Sequence, residues 1–327
     1  MQSEFLLSSN SLPNMKKPTR SCLAANLALA ALSLVLVASP ASVQAGAPAI
    51  SPVIESPAPS PLHALLKVDF STNYITPRGL NIENQGLVVQ PLFLLFTTLY
   101  SDPDSLINDV TMTLGMWSSF HTRESGRDPG HWNEFDPIAG LAIKFADYWK
   151  LDINWTAFES MTGSFKTSQH LELKLSFDDA AFTGSKVFSI NPYIAYWKEL
   201  NHKATVAFNV NTASESYYFT LGMTPTIALP KVKFEFPTFI NIVGEEFYQQ
   251  ASGAPGVSGL AVFRTGLVAT VPLNFVSKAY GSWSLYAGVK YYHLNNPGLL
   301  DGNVALGADG SRKRDLVQFH GGVSIFF

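Results

Sequence analysis

The sequence predicts an all-β fold: a transmembrane, antiparallel, up-and-down β-barrel of about twelve strands, preceded by a cleaved signal peptide. Three observations lead to this prediction. Apolar and polar residues alternate along most of the chain, which is the period of a strand with two unlike faces. The connections between these segments alternate between short and long. After residue 45 no apolar stretch reaches the length of about 18 residues that a helical span requires, so membrane spans would have to be strands.

Residues 1–45 have the pattern of a secretory signal peptide. A basic segment over 15–20 precedes an uncharged apolar run over 23–37, and Val43-Gln44-Ala45 is a small-x-small cleavage pattern. The first 14 residues lack basic character, so translation starts either at Met1 or at Met15. A retained membrane anchor is the alternative interpretation of the apolar run.

Composition limits what the secreted chain can be. Residues 46–63 are rich in proline, alanine and serine, which predicts an extended linker, and the barrel is predicted over 64–327. The single cysteine, Cys22, precedes the cleavage pattern, so the secreted chain has no disulfide and no thiolate metal site. The formal net charge is −3, which argues against nucleic acid as a partner. No cofactor motif is found.

The individual strands follow from the period of two. In the first strand Leu66, Val68 and Phe70 alternate with Lys67 and Asp69, so one face is apolar and the other is charged. The twelve predicted strands are 66–74, 87–100, 109–120, 135–145, 151–156, 170–177, 187–197, 217–226, 232–242, 260–271, 283–292 and 316–327. An even number suits a bacterial barrel, whose chain starts and ends on the periplasmic side.

The connections give an independent test of the barrel. The short turns are 101–106, 147–149, 178–185, 227–231 and 274–281, and the mostly longer loops are 77–86, 122–134, 160–166, 198–215, 243–259 and 295–315. Short periplasmic turns and longer extracellular loops are the rule for these barrels. The segment 198–215 alternates at Val206, Phe208 and Val210, so it adds strands if it is extended.

Aromatic residues sort by strand end, as expected for the two water boundaries of a membrane. The outer set is Tyr74, Phe135, Tyr196, Tyr217, Phe263 and Tyr291, and the periplasmic set is Phe145, Phe177, Phe188, Trp283 and Phe327. A soluble β-sandwich, the alternative fold, gives no reason for this sorting.

Several segments resemble known proteins. The amphipathic last strand, which ends in Phe327, resembles the terminal strand of bacterial outer-membrane barrels. The segments Tyr74-Ile-Thr-Pro-Arg78-Gly79, Gln90-Pro91 and Gly115-Met-Trp117-Ser118 are similar to the TorF-like porin family of Gram-negative bacteria. The resemblance implies a channel in the cell outer membrane that contacts outer-membrane lipid. It also implies that the barrel assembly machinery recognises the Phe327 strand, and it brings no catalytic residues.

The polar strand faces predict a lumen of balanced charge, with seven basic and seven acidic residues. The candidate lumen-lining residues are Lys67, Asp69, Asp152, Asn154, Glu172, Lys174, Arg264 and Lys290. Rings of one sign would make a strongly selective pore, so this balance predicts weak ion selectivity. The alternative is that the charges pair across neighbouring strands and have only a structural role.

The loop over 122–134 is a candidate constriction, because it combines cations with aromatic groups at Arg123, Arg127, His131 and Trp132. Such a loop either folds inward, where it narrows the lumen or binds an anionic sugar, or stays solvated at the surface.

Three functions are compatible with these patterns. A channel for passive or weakly selective passage of small polar solutes is the leading hypothesis. A non-conducting structural or adhesive barrel is the second. An outer-membrane enzyme is the third: a His-x-Ser pair would suit a lipase or deacylase, but none of the seven histidines has a serine two positions later. His121 and Ser125 lie four residues apart, which is a weak signal.

Overall fold

The computed structural model describes residues 61–123, 131–203, 215–248, 256–306 and 312–327. The predicted signal peptide and nearly all of the linker lie outside these ranges. The strands are β1 (Leu62–Ser71), β2 (Tyr74–Ile75), β3 (Asn81–Glu83), β4 (Val88–Ser101), β5 (Ile107–His121), β6 (Trp132–Phe145), β7 (Trp149–Ser160), β8 (Ser168–Phe177), β9 (Phe188–Ser189), β10 (Tyr193–Asn201), β11 (Tyr217–Met223), β12 (Thr226–Ala228), β13 (Lys233–Glu235), β14 (Thr238–Val243), β15 (Gly259–Pro272), β16 (Ser282–Leu294) and β17 (Asp315–Phe326). The helices are α1 (Asp179–Thr183) and α2 (Pro297–Leu306), and a 3-10 turn spans Lys278–Tyr280. Neither helix is long and apolar enough to cross a membrane.

Twelve antiparallel wall strands close into one ring. Nine of them are continuous, and three are built from two segments each, namely β9 with β10, β11 with β12, and β13 with β14. Each wall strand pairs with its neighbours along the chain, and the ring closes where β1 pairs with β17. The prediction of an up-and-down barrel is therefore confirmed, and a two-sheet sandwich is excluded. The alternating residues Val206, Phe208 and Val210 lie outside the described residues, and the ring closes without them.

Proline interrupts the three divided strands. Pro192 separates β9 from β10, Pro225 separates β11 from β12, and Pro237 separates β13 from β14. Because proline has no N–H to give to the ladder, strand pairing stops at each of them. The register nevertheless continues across the gaps, since Tyr193 lies opposite Gly222 and Thr226 lies opposite Ser189 with the same offset. These interruptions form a row across one sector of the wall.

The two faces of the wall differ sharply in polarity. On β8 and β17 the outward-facing Leu173 and Phe319 are 36% and 60% exposed, while the neighbouring Lys174 is 1% exposed. Large apolar side chains thus cover the outside, and charged ones point inward. This is the reverse of a soluble protein and matches a barrel surrounded by lipid.

The long connection after β1 folds into the barrel. We call residues 72–87 the inner loop. The end of the barrel at which β1 ends is called the long-loop end. The inner loop contains the two-stranded sheet of β2 and β3, and its residues 74–81 are all buried. The predicted extension of the first strand to Tyr74 is wrong, because β1 ends at Ser71 and the chain turns into the lumen. Tyr74 is 2% exposed, so it is not a boundary aromatic.

Candidate functional site

The inner loop is built around a tight turn at Thr76-Pro77-Arg78-Gly79. Gly79 N–H donates to Thr76 O at 2.8 Å, and Leu80 N–H donates to the Thr76 hydroxyl at 3.1 Å. Proline at the second position and glycine at the fourth are favoured in such turns. Gly79 has φ +84°, and a Cβ there would lie 2.7 Å from Leu294 and 2.9 Å from Leu299. Only glycine therefore fits both the backbone and the space.

Hydrogen bonds fix the inner loop to distant parts of the wall. The Tyr74 hydroxyl donates to Glu134 Oε2 at 2.5 Å, and burial, together with the Glu134 and Asp136 carboxylates, raises the pKa of Tyr74, so it remains a donor. Asn241 Nδ2 donates to Pro77 O at 3.0 Å, and Gln318 Nε2 donates to Asn73 O at 2.5 Å. The loop is thus held from three sides of the ring.

Helix α2 and the loop after β14 cover the inner loop. Asn303 accepts from Asn81 N–H at 2.8 Å and donates to Gly79 O at 3.1 Å. The Tyr248 hydroxyl donates to Arg78 O. An apolar core then fills this half of the lumen, and it includes Ile75, Leu80, Trp197, Val243, Phe247, Tyr248, Leu294, Leu299 and Leu300. The long-loop half of the lumen is therefore largely occupied by the protein itself.

The side chain of Arg78 points from the inner loop toward an aromatic group on the wall. Its guanidinium carbon lies 4.7 Å from the ring centre of Phe158 and 5.1 Å from that of Trp197. The His170 ring stacks 4.3 Å from Trp197. Stacking on aromatic faces is a favourable environment for guanidinium. The short Tyr…Arg-Gly segment in the sequence therefore places a buried cation inside the barrel.

The eight predicted lumen residues all lie buried or half-buried on the inner face. The structure brings four of them together: Asp152 lies opposite Lys174, and Asn154 lies opposite Glu172, on β7 and β8. Lys150, on the same strand as Asp152, forms an ion pair with it at 3.0 Å. Part of the charge is therefore paired within one strand, whereas the alternative interpretation expected pairs across neighbouring strands.

The other four predicted residues lie on the opposite side of the ring. Asp69 accepts from the Tyr286 hydroxyl at 2.6 Å and lies 3.1 Å from His320 Nδ1. Lys67 lies over the Tyr286 ring, with Nζ 4.4 Å from its centre. Arg264 stacks on Phe239 and Tyr292, and Lys290 lies opposite Gly266 and Gln318. The candidate residues thus form two separate patches and not one ring.

Several buried polar atoms on the inner face have no hydrogen-bond partner among the described residues. They are Asp69 Oδ2, Asp152 Oδ2, Asn154 Nδ2, Ser176 Oγ, Gln318 Oε1 and His320 Nε2. An unpaired buried polar group costs free energy, so such groups normally bind water. They are distributed over both patches beside the inner loop.

The loop after β5 does not enter the lumen in its described part. Arg123, His131 and Trp132 are exposed, and Arg127 lies outside the described residues. Trp132 stacks on outward-facing Phe120 with 5.8 Å between ring centres. The loop that enters the lumen is the inner loop instead. Its residues 77–86 were predicted to form one of the longer surface loops.

Two serine–histidine pairs were missed by the sequence search, because their order is Ser-x-His. Ser119 Oγ lies 3.0 Å from His121 Nε2, and Ser168 Oγ lies 2.8 Å from His170 Nε2. The sequence contains the signal for both pairs, because residues two apart in a strand lie on the same face. Both serines are fully buried. Ser168 donates its hydroxyl hydrogen to His202 O at 3.0 Å, so it accepts from His170 and is not an activated nucleophile. Ser125 lies outside the described residues.

No protein-family model matches this sequence, and no curated protein matches it. Solved structures with a similar arrangement of strands include the NanC porin, which is 11% identical with a TM-score of 0.42 and is matched over 80% of this chain and 98% of that one. The outer-membrane phospholipase A from Escherichia coli is 10% identical, with a TM-score of 0.40 over 80% and 92% of the two chains. An outer-membrane channel from Pseudomonas putida F1 is 10% identical, with a TM-score of 0.39 over 85% and 100%. Similarity at this level does not transfer a function to this chain.

Proposed function

We propose that the protein is an outer-membrane channel that passes small polar solutes with weak selectivity, and that the inner loop is its constriction. The observation that carries this proposal is the set of buried, unpaired polar atoms on both sides of the inner face. Water is the group most able to satisfy them, and a hydrated path is what a passive channel needs.

The membrane setting is part of the proposal. The apolar outer face suits lipid, and the long-loop end would face outward with the short turns in the periplasm. Cleavage after Ala45, membership of the TorF-like family and recognition of the Phe327 strand by the assembly machinery belong to the same proposal. They rest on sequence patterns.

A planar-bilayer recording of the purified protein tests the proposed function. We expect single-channel steps in potassium chloride, and only a slight ion preference because both signs line the path. Heat-shifted gel mobility confirms that the inserted protein is a folded barrel. A folded, inserted protein without current even at high salt would contradict the channel.

One observation favours a second function, a non-conducting structural or adhesive barrel. The inner loop and α2 fill the long-loop half of the lumen with an apolar core. If this core remains closed under all conditions, the barrel cannot conduct. The same bilayer recording separates the two functions.

A further inference from the structure

Two carboxyl groups lie side by side where the inner loop meets the wall. Glu134 and Asp136 are two residues apart on the inner face of β6, and they are 5% and 0% exposed. Asp136 donates a hydrogen bond to the Glu134 carboxylate, so it carries a proton. The same carboxylate accepts from the Tyr74 hydroxyl at 2.5 Å. The inner loop is therefore bonded to an enclosed acid pair that shares one proton.

The surroundings of the acid pair explain why it keeps this proton. The neighbouring strands place two serines and a tryptophan opposite the pair, so they bring no cation to it. One guanidinium, that of Arg78, acts on the pair from the inner loop. A single cation can balance a single carboxylate, and a second negative charge in the same enclosed site is strongly unfavourable.

Release of the inner loop changes the number of protons that the pair binds. Once the loop leaves and water enters, the two carboxyl groups titrate as exposed ones do, near about pH 4. Between that pH and the pH at which the enclosed pair ionises, the seated state holds one proton more than the released state. A state that holds the extra proton loses stability as the pH rises, so the seating of the loop weakens with increasing pH.

The other titratable groups around the inner loop act outside this range. The His121 ring lies 5.8 Å from the Tyr74 ring, and His170 lies beside the aromatic group that Arg78 contacts. Both histidines are enclosed, whereas an exposed histidine takes up a proton near about pH 6.5, so they favour release only in acid. Glu83 accepts two backbone N–H bonds of its own loop, which favours its charged form. Above about pH 7 the acid pair is therefore the group that governs seating.

We propose that Glu134 and Asp136 form a pH-sensitive switch that controls the inner loop. The shared proton keeps the loop seated in the lumen, and loss of this proton at higher pH releases the loop. The inference rests on the proposed channel function, because the inner loop is the proposed constriction. It adds to that function a means of regulation, in which the lumen opens as the pH rises.

A spin label on the inner loop measures its release without any current. Gln85→Cys places the label at an exposed position of the loop, and the native cysteine, Cys22, lies in the predicted signal peptide. Electron paramagnetic resonance is recorded on the mature barrel in lipid vesicles. We expect the ratio of mobile to immobile label to rise by up to about tenfold per pH unit above about pH 7, because release is linked to the loss of one proton. The same ratio at about pH 7 and about pH 9 would overturn the proposal.

Two variants in the labelled barrel locate the switch. Asp136→Asn keeps the shape of the side chain, and its amide donates to Glu134 at every pH, so the label should stay immobile throughout the range. Asp104→Asn, in the exposed turn after β4, is the matched control and should respond as the unchanged barrel does. Heat-shifted gel mobility confirms that both variants fold. An undiminished pH response in folded Asp136→Asn would show that another group controls the loop and would reject the switch.

Planar-bilayer recording separates this inference from the proposed function. Conductance should rise together with the mobile fraction of the label, and it should not depend on pH in Asp136→Asn. Current through a barrel whose label stays immobile at every pH would reject the switch alone. Label mobility that rises with pH without any current would reject the channel and leave the switch standing.

Discussion

Leu173 and Lys174 are neighbours on β8 that face opposite sides of the wall. Leu173 lies mid-strand, opposite Ile153 and Tyr196, and its side chain is on the outside. Leu173→Arg should cost about 2–4 kcal/mol near the bilayer midplane and hinder folding into lipid. Heat-shifted gel mobility after refolding into lipid vesicles measures this effect.

Lys174→Ala is the matched control for that change. Its side chain points inward, over the ring of Tyr193 at 4.9 Å, so its loss should leave the barrel able to fold. If both variants folded equally well, the assignment of the two faces would be incorrect.

Gly79 is the residue on which the packing of the inner loop depends most directly. Gly79→Ala forces an L side chain into a left-handed backbone and against Leu294 and Leu299, so it should destabilise the loop by about 1–3 kcal/mol. Amide hydrogen exchange over residues 74–83 should become faster, while exchange in the wall strands should not change.

Gly163→Ala is the control for the backbone strain of a left-handed alanine without any steric contact. Gly163 has φ +72°, but no atom lies within 4 Å of a Cβ built there. This variant should leave exchange in the inner loop unaltered. An equal effect of the two alanines on that exchange would mean that contacts with Leu294 and Leu299 do not hold the loop.

At the residue scale, alternation predicted which side chains point inward, because a strand's period of two leaves no other choice once one face meets lipid. Lys67 and Asp69 follow it, and so do Asp152 and Lys174. It did not predict how these charges are paired. The Asp69–Tyr286 hydrogen bond depends on the registers between strands, which a single strand pattern does not contain. The Lys150–Asp152 ion pair lies within β7, where both residues share one face.

The inner loop is the element that decides how much of the lumen is open. Replacing residues 75–82 by a Gly/Ser linker of equal length should remove its turn and raise the single-channel conductance severalfold, because the long-loop half of the lumen then fills with water. Planar-bilayer recording of the folded variant measures the change.

The exposed turn over 229–231 offers a control of the same kind. A Gly/Ser replacement there lies outside the lumen and should leave conductance as it was. Unchanged conductance after removal of the inner loop would show that the constriction lies elsewhere in the barrel.

At the element scale, the existence and order of the wall strands were predictable, while the inner loop was not. Residues 77–86 have the turn residues of a surface loop, and nothing local indicates burial. The partners that hold the loop inside, Asn241, Tyr248 and Asn303, come from far along the chain. Proline in a strand interior weakens pairing, but it did not identify the divided strands, because Pro91 and Pro137 lie inside the continuous strands β4 and β6.

The molecule as a whole carries charges of both signs along the proposed path. Lys290→Gln should shift the reversal potential in a salt gradient toward cations, and Asp152→Asn should shift it toward anions, because each removes one fixed charge from the lumen. Both changes should be small, a few millivolts, and opposite in sign. Shifts of the same sign would indicate that these residues do not line the conducting path.

The row of prolines has a mechanical consequence for the entire shell. Unbroken ladders such as the one between β16 and β17 make one side of the wall stiff, whereas the sector from β9 to β14 is segmented at Pro192, Pro225 and Pro237. A barrel wall under radial force deforms most where the hydrogen bonding between its strands is interrupted. We therefore expect elastic widening of the barrel to concentrate in this sector. Two contacts with the inner loop start from the same sector: Trp197 lies against the Arg78 guanidinium, and Asn241 donates a hydrogen bond to Pro77 O. Deformation of the wall in this sector would therefore act directly on the contacts that hold the inner loop, so the flexibility of the wall and the position of the loop are coupled.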